Sequence, residues 1–525
     1  MKSHSIEIPV EIESFAQANS FIEEKLKRAN LSNEIRMETL LIFESLFHSM
    51  IQQGFDKDTT LTISVRRSFG ETNIHLGFDG KPFVPAGDDQ GALAPEDNIL
   101  KAFDDKVDYQ YQSGHNRIHI AVKRSFQNTL FLSLSAILLA ILVYLVVDMF
   151  VSPAHQLKLA DAIVFPLVKL FSNAMLMVGA PVTFFSLLKN FTDIYILSDG
   201  NSVGRKLQIK TIITSAVAVL LAIGVGFLLA ASLTKQLGDI SQASGLNPIP
   251  SFRELLISMV PPSIFEPFET IMPYPLIFVA LIVTYAFCTV GKYFGKMKKA
   301  VDACYTLFSR MLHVIMYAFP FFCFLALLYQ LLKSGIQTLV SILIIVALSM
   351  VSIVVLIIFY LLRLMVGGVK LKPFLKHLPA FLKENYKIGS AIDAVPFNIR
   401  FCTRNYGMDR KKITDKFKVL AQINLDGNCY IIMLISMLFI FMMVTQASWF
   451  HVLVIAIMVI FLSFGAPNQP GSILIGTLII ALFLKADELI PTAVYLEAFF
   501  GAIQNLINVT GDLVTVAIEE KEVWE

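Results

Sequence analysis

Charge is what this 525-residue chain has least of: Asp, Glu, Lys and Arg make up only 16% of it, while 55% is hydrophobic. An ordinary soluble domain is about a quarter charged. That shortage excludes a disordered, fibrous or nucleic-acid-coating protein and points to a membrane. Cysteine is also sparse. Cys288, Cys304, Cys323, Cys402 and Cys429 form no CxxC pair, and no His/Cys cluster frames a zinc or redox site. They read as small buried apolar residues, and a disulfide framework is not expected. The opening MKSHSIEIPVEIESF has no apolar h-region, so no cleavable signal peptide is expected and the first domain is expected to stay in the cytoplasm.

The few charges are unevenly spread. Residues 1–124 carry 14 Lys/Arg and 19 Asp/Glu, net −5, whereas the remaining 401 carry 29 and 22, net +7. A small acidic soluble domain, residues 1–124, is therefore expected ahead of a large membrane body, residues 125–525. Within the first, residues 5–13 alternate (Ile6, Ile8, Val10, Ile12) as a half-buried strand does, and 14–29 and 33–53 read as amphipathic helices. Strand-like runs follow at 60–67, 72–78 and 116–123, with the turn Asp79-Gly80-Lys81-Pro82 among them. This predicts an α/β sandwich large enough to have its own core.

From Leu130 the chain becomes a series of apolar runs, near 129–151, 162–188, 207–234, 274–291, 304–332, 336–365, 419–445, 449–484 and 490–518. A membrane span needs roughly 20 residues, so several are long enough to tilt. Lysine and arginine concentrate in loops around Lys189–Lys210, Lys292–Lys299 and Arg363–Lys376, which places those loops, with the first domain and both termini, on the cytoplasmic side. Two stretches do not read as plain spans: 381–403, broken at Gly389–Pro396, and 449–484, interrupted by Gly465-Ala-Pro-Asn-Gln-Pro-Gly471. Irregular backbone at membrane depth is tolerated where it is packed in protein or lines a wet cavity, as at transporter binding sites. The alternative is two loops between short helices.

The residues that interrupt the apolarity carry the chemistry. Asn424-Leu-Asp426-Gly-Asn428 opens one long apolar run, and Asn508-Val-Thr-Gly-Asp512 lies inside another. A carboxylate at membrane depth needs a cation, a partner or a proton. Gly427 and Gly511 permit local unwinding that frees carbonyl oxygens. Carboxylate, amide and carbonyl oxygens together make hard-oxygen ligation suited to an alkali cation. Pairing with a neighbouring basic residue is the alternative, and basic residues are scarce in the later spans.

From about residue 130 onward these residues resemble the dicarboxylate/amino acid:cation symporters, the glutamate-transporter family. Asn424-Leu-Asp-Gly is close to that family's Asn-Met-Asp-Gly, and Asn508-Val-Thr-Gly-Asp512 matches a form of its last-helix motif. Ser390…Val395-Pro396 and Gly465-Ala-Pro467…Pro470-Gly471 resemble its two hairpin tips; Val260-Pro-Pro-Ser-Ile-Phe265 and Thr214-Ser215 also fit. The resemblance implies a multi-spanning α-helical membrane protein with eight transmembrane helices plus two re-entrant hairpins, as a homotrimer in the cell membrane. It implies sodium-coupled symport by elevator-type alternating access, not enzyme catalysis. Carried over, Asn424, Asn508 and Asp512 hold one Na⁺, and Thr214, Ser215, Asn424 and Asp426 another, with Thr211 where the family often has Tyr. The implied solute contacts are Ser390, Asp393, Asn428, Pro467, Gly501, Gln504, Asn505 and Asn508.

Departures from the family bear on the solute. Gly501 replaces the acid that binds a substrate amine, Gln504 the arginine that binds an acidic side chain, and Asn505 a threonine. Glutamine offers no charged fork to a carboxylate. A neutral amino acid or other small polar solute is expected instead, with Asp393 either replacing the missing acid or capping the second hairpin arm.

Residues 1–124 more faintly resemble the histidine-kinase-like ATPase domain of anti-sigma-factor kinases, through Glu44, Asp79-Gly80-Lys-Pro-Phe83 and Phe103-Asp-Asp-Lys-Val-Asp-Tyr109…Gly114-His-Asn116. His48 stands where that fold places an Mg²⁺-binding Asn, and its lid is reduced to Gly87-Asp-Asp-Gln-Gly91. Kinase activity is not expected; a nucleotide sensor holding ATP or ADP and an inert remnant both stay open. Small-molecule solute and lipid are the expected partners, with no nucleic acid. The competing class is a transporter-like membrane sensor signalling through the first domain. An ATP-driven pump is excluded for want of a GxxxxGK[ST] motif.

Overall fold

The structure is a computed structural model of the chain. It describes residues 4–29, 31, 33–54, 59–68, 71–83, 107–112, 114–122, 127–198, 202–233, 251–289, 291–443, 449–466 and 471–524. Two compact units divide it, Met1–Asn128 and Thr129–Glu525.

In the first unit, β1 (His4–Pro9) leads to α1 (Ile12–Arg28) and α2 (Asn33–Gln52), then to β2 (Thr60–Ser68), β3 (Glu71–Asp79), β4 (Val107–Gln112) and β5 (His115–Val122). The five strands form one antiparallel sheet in the order β1-β2-β3-β5-β4. Alternation sends Leu61, Ile63, Ile74, Leu76, Ile118 and Ile120 to one face. There they pack in one core with Ala18, Ile22 and Leu26 of α1 and Phe43, Leu46 and Phe47 of α2. Each large aliphatic or aromatic side chain buried this way contributes about 1.5–3 kcal/mol. The expected strand at 5–13 stops at Pro9. β4 was not expected, because VDYQYQ shows no aliphatic alternation. It is held by Tyr109, whose hydroxyl donates to Asn116 Oδ1 at 2.7 Å and accepts from Phe83 N–H at 2.8 Å.

The described part of the second unit is helical: α3 (Gln127–Phe150), α4 (Pro153–Leu159), α5 (Phe165–Ser198), α6 (Ser202–Leu233), α7 (Phe252–Ser258), α8 (Glu266–Thr270), α9 (Pro273–Thr289), α10 (Phe294–Met316), α11 (Phe319–Ser334), α12 (Gln337–Val366), α13 (Leu371–Ile388), α14 (Ala391–Tyr406), α15 (Arg410–Ile423), α16 (Asp426–Met443), α17 (Trp449–Phe464), α18 (Ser472–Phe483) and α19 (Ile490–Glu519). Local chemistry sets several ends. Ser251 and Glu254 form a capping box at the start of α7, and prolines sit in the first turns of α11 and α19. Gly389, at φ 72°, ends α13, and Ser390 accepts from Asp393 N–H to begin α14. The cap is thus Ser390, with Asp393 in the first turn behind it.

Among the described residues, six helical stretches are long and apolar enough to cross a membrane. A seventh is reached if α10 and α11, bent by 55°, count as one span. The 17-residue α9 and the short apolar α17 and α18 fall below that length. The two non-span stretches of the sequence become helical pairs, α13 with α14 and α17 with α18. Enclosure separates the helices by role. The most apolar window of Phe131–Phe150 is only 22% buried, whereas that of Arg410–Phe441 is 100% buried and that of Asp487–Glu519 is 78% buried. The helices bearing the polar motifs are therefore wrapped in protein, and α3 presents its side chains outward as a lipid-facing helix does.

Candidate cation and solute site

The site grows from a break. α15 ends at Ile423, capped by Asn424 (φ −88°, ψ 88°), and α16 begins at Asp426, so two residues leave helical geometry in the middle of a buried stretch. α19, by contrast, runs unbroken through Asn508–Asp512, so the unwinding expected at Gly511 does not occur. The glycines serve close approach instead. A Cβ at Gly427 would lie 2.3 Å from the Gln504 carbonyl, and one at Gly511 would lie 2.7 Å from Asn424 Nδ2 and 2.9 Å from the Tyr360 hydroxyl. Bare backbone at these positions lets α16 and α19 touch and brings their carboxylates to one centre.

All six expected cation residues meet there, and all are buried. Asp426 Oδ1 accepts from Thr214 at 3.1 Å and Ser215 at 3.0 Å, both on α6, and its Oδ2 accepts from Tyr360 of α12 at 3.1 Å. Asp512 Oδ1 accepts from Asn424 Nδ2 at 2.8 Å. Asn508 Oδ1 accepts from Gly427 N–H at 2.8 Å, and its Nδ2 donates to Asn428 Oδ1 at 2.9 Å. Three oxygens in this group, Asn424 Oδ1, Asp512 Oδ2 and Thr211 Oγ1, are buried without a hydrogen-bond partner. A buried polar atom left unpaired costs about 1–3 kcal/mol, more when charged. Asn424 Oδ1 and an ionised Asp512 Oδ2 can only accept, so a hard monovalent cation with oxygen ligands fits the set.

Sequence reasoning missed one member of this centre, Tyr360, which supplies a phenol from α12. Arg363, one turn further along α12, donates to Thr515 Oγ1 at 3.1 Å. Tyr360 was visible as a polar interruption of an apolar run, which is the signal that exposed Asp426.

Beyond Asn508 the polar chain continues toward the second helical pair. Asn428 Nδ2 is 3.5 Å from Ser472 Oγ, and Ser472 pairs with Gln504 through Nε2 at 2.8 Å and Oε1 at 3.1 Å. Asn505 Nδ2 is buried without a partner. Gly501 leaves room that Glu497 fills: a Cβ at 501 would lie 2.9 Å from Glu497 Oε1. Glu497, a lone carboxylate inside AVYLEAFF, also escaped sequence reasoning. Of the remaining expected solute residues, buried Ser390 and half-buried Asp393 lie on the first helical pair, and Pro467 lies outside the described residues.

In the first unit, Glu44 and His48 stand one turn apart on the exposed side of α2. Asp79 pairs with His115 Nδ1 at 2.5 Å. The lid Gly87–Gly91 and residues 103–106 lie outside the described residues.

Polar residues buried at a broken helix, inside a body of membrane-length helices, are the architecture of an integral membrane transporter. The model of the sodium:dicarboxylate symporter family matches residues 123–521, and the chain belongs to that family. Symport-type transport is what this family does; it is a family of transporters, not enzymes. Against the curated proteins the chain finds no match.

Proposed function

We propose that the protein is a sodium-coupled symporter of a small polar organic solute other than an acidic amino acid or dicarboxylate, working by elevator-type alternating access as a homotrimer. The observation that carries the sodium reading is the pair of unpartnered acceptors, Asn424 Oδ1 and Asp512 Oδ2, at one buried centre. One Na⁺ takes Asn424, Asn508 and Asp512; a second takes Thr214, Ser215, Asn424 and Asp426, with the Tyr360 hydroxyl in reach. The two helical pairs act as re-entrant hairpins in an eight-span body, with both termini cytoplasmic. Solute lies between them against Gln504, Asn505, Asn508 and Asn428, with Ser390 and Asp393 from the first pair and Pro467 from the second. The neutral Gln504–Ser472 pair supports exclusion of a second solute carboxylate.

The first domain is read as a nucleotide-binding-type fold without a working nucleotide site, since His48 stands where that fold places its Mg²⁺-binding Asn and the lid is reduced to Gly87-Asp-Asp-Gln-Gly91. ATP or ADP titrated into the full chain is expected to give no heat.

Uptake into proteoliposomes over a solute panel, with and without a sodium gradient, tests the central reading. Accumulation that requires sodium is the expected result. Solute binding without gradient-driven flux overturns it in favour of a membrane sensor.

A further inference from the structure

Glu497 is a carboxylate with no part in the cation centre, yet it is only 4% exposed. It projects from α19 to the start of α18. Its Oε1 accepts from Gly471 N–H at 2.8 Å and its Oε2 from Leu474 N–H at 2.9 Å. Gly471, at φ 96°, turns the chain into α18, so those two N–H groups belong to the open end of a 12-residue helix. Such N–H groups have no partner within the helix and carry its positive pole, which is where a carboxylate is best held. The bidentate seating needs the space beside it. Any side chain at 501 would begin 2.9 Å from Oε1 and push the carboxylate off the amides.

We propose that Glu497 is a tethered carboxylate that locks the second helical pair onto α19 and, by filling its amide seat, excludes a carboxylate of the solute from that seat. The proposal rests on the transport reading for its meaning but not for its geometry. Glu497 is a positioning and selectivity residue. Its charge stands one turn of α19 from Gly501 and two from Gln504, and the adjoining Ser472–Gln504 pair adds no positive charge to offset a second anion. The pocket therefore favours solutes that are neutral or positively charged on the side facing α18. An acid on the last helix is thus retained, one turn earlier than Gly501, and turned toward the protein's own backbone.

Amide hydrogen exchange over residues 465–484, followed by mass spectrometry on the purified full chain in sodium, reads the lock without any transported solute. Glu497→Ala frees both amides, and exchange in this segment is expected to rise about tenfold or more, equivalent to ~1.4 kcal/mol. Glu497→Gln keeps the shape but only one accepting atom, and is expected to fall between. Excess acetate, a free carboxylate, is expected to restore protection to Glu497→Ala and to leave the parent protein unchanged. Unchanged exchange in Glu497→Ala overturns the lock. Raised exchange that acetate does not reduce overturns the carboxylate seat. Neither outcome depends on uptake, so loss of the transport reading and loss of this one are distinguishable.

Discussion

Replacing Asp512 by Asn removes one charge and almost no volume, so it tests the cation centre with little disturbance to packing. The Asn424 Nδ2 bond to Asp512 Oδ1, 2.8 Å long, can survive because Asn keeps one carbonyl oxygen. The unpartnered Oδ2 becomes an NH₂ group, which donates where a cation needs a lone pair. At 2.4 Å and an effective dielectric constant of 20, a unit charge pair is worth about 7 kcal/mol before desolvation is counted. Truncating one partner of a buried charge pair costs about 2–5 kcal/mol in practice. Apparent sodium affinity should thus fall by roughly 30-fold to several thousand-fold. Sodium-dependent thermal stabilisation of the purified protein, with choline as the control cation, measures this without knowledge of the solute. A half-saturating sodium concentration within twofold of the parent, in a variant that still elutes as the parent does, would refute the assignment of Asp512 as a ligand.

Other substitutions probe the surroundings. Gly427→Ala drives a methyl to 2.3 Å from the Gln504 carbonyl, and overpacking of this kind costs about 1–3 kcal/mol or more. A lower melting temperature together with weakened sodium stabilisation is expected, and parental behaviour would mean that α16 and α19 do not meet so closely. Tyr360→Phe takes away one of three hydroxyls that donate to Asp426, and with it about 1.5–3 kcal/mol of sodium-free stability; an unchanged melting temperature in choline would show that the phenol is not engaged. In the first unit, burial, then His119 and Arg66, lower the pKa of His75. The unfolded chain therefore binds a proton more readily at this position, so its contribution to stability is present above about pH 6.5 and is lost as pH falls below it. Hydrogen exchange over residues 60–122 of the full chain should accelerate on acidification, and less steeply in His75→Asn; equal slopes would remove His75 as the cause.

How much of this was written in the sequence depends on the range of the interaction concerned. The α/β character of residues 1–124 follows from local alternation, yet β4 escaped because VDYQYQ is stabilised by Tyr109 reaching Asn116 and Phe83, contacts that adjacent residues do not encode. The two helical pairs were legible as breaks, since Gly389 and Gly471 adopt positive φ and punctuate the chain wherever they fall. Glycine's second role was not legible. Gly427 and Gly511 look like flexible joints in sequence but are contact points between helices, which only the partner helix reveals.

By itself, the sequence determined that the chain enters a membrane, that its charge is divided between two bodies, and that Asn424, Asp426, Asn508 and Asp512 stand where apolar text forbids them without a purpose. Transfer from water to an apolar interior depends on residue type alone, so composition suffices for those conclusions. Tertiary structure decided which polar atoms find partners. Packing satisfies Asp426 with three hydroxyls, leaves Asp512 Oδ2 open, and turns Glu497 onto the amides of α18. Hydrogen bonds are directional and act over about 3 Å, so their pairing is set only when helices far apart in sequence are brought together.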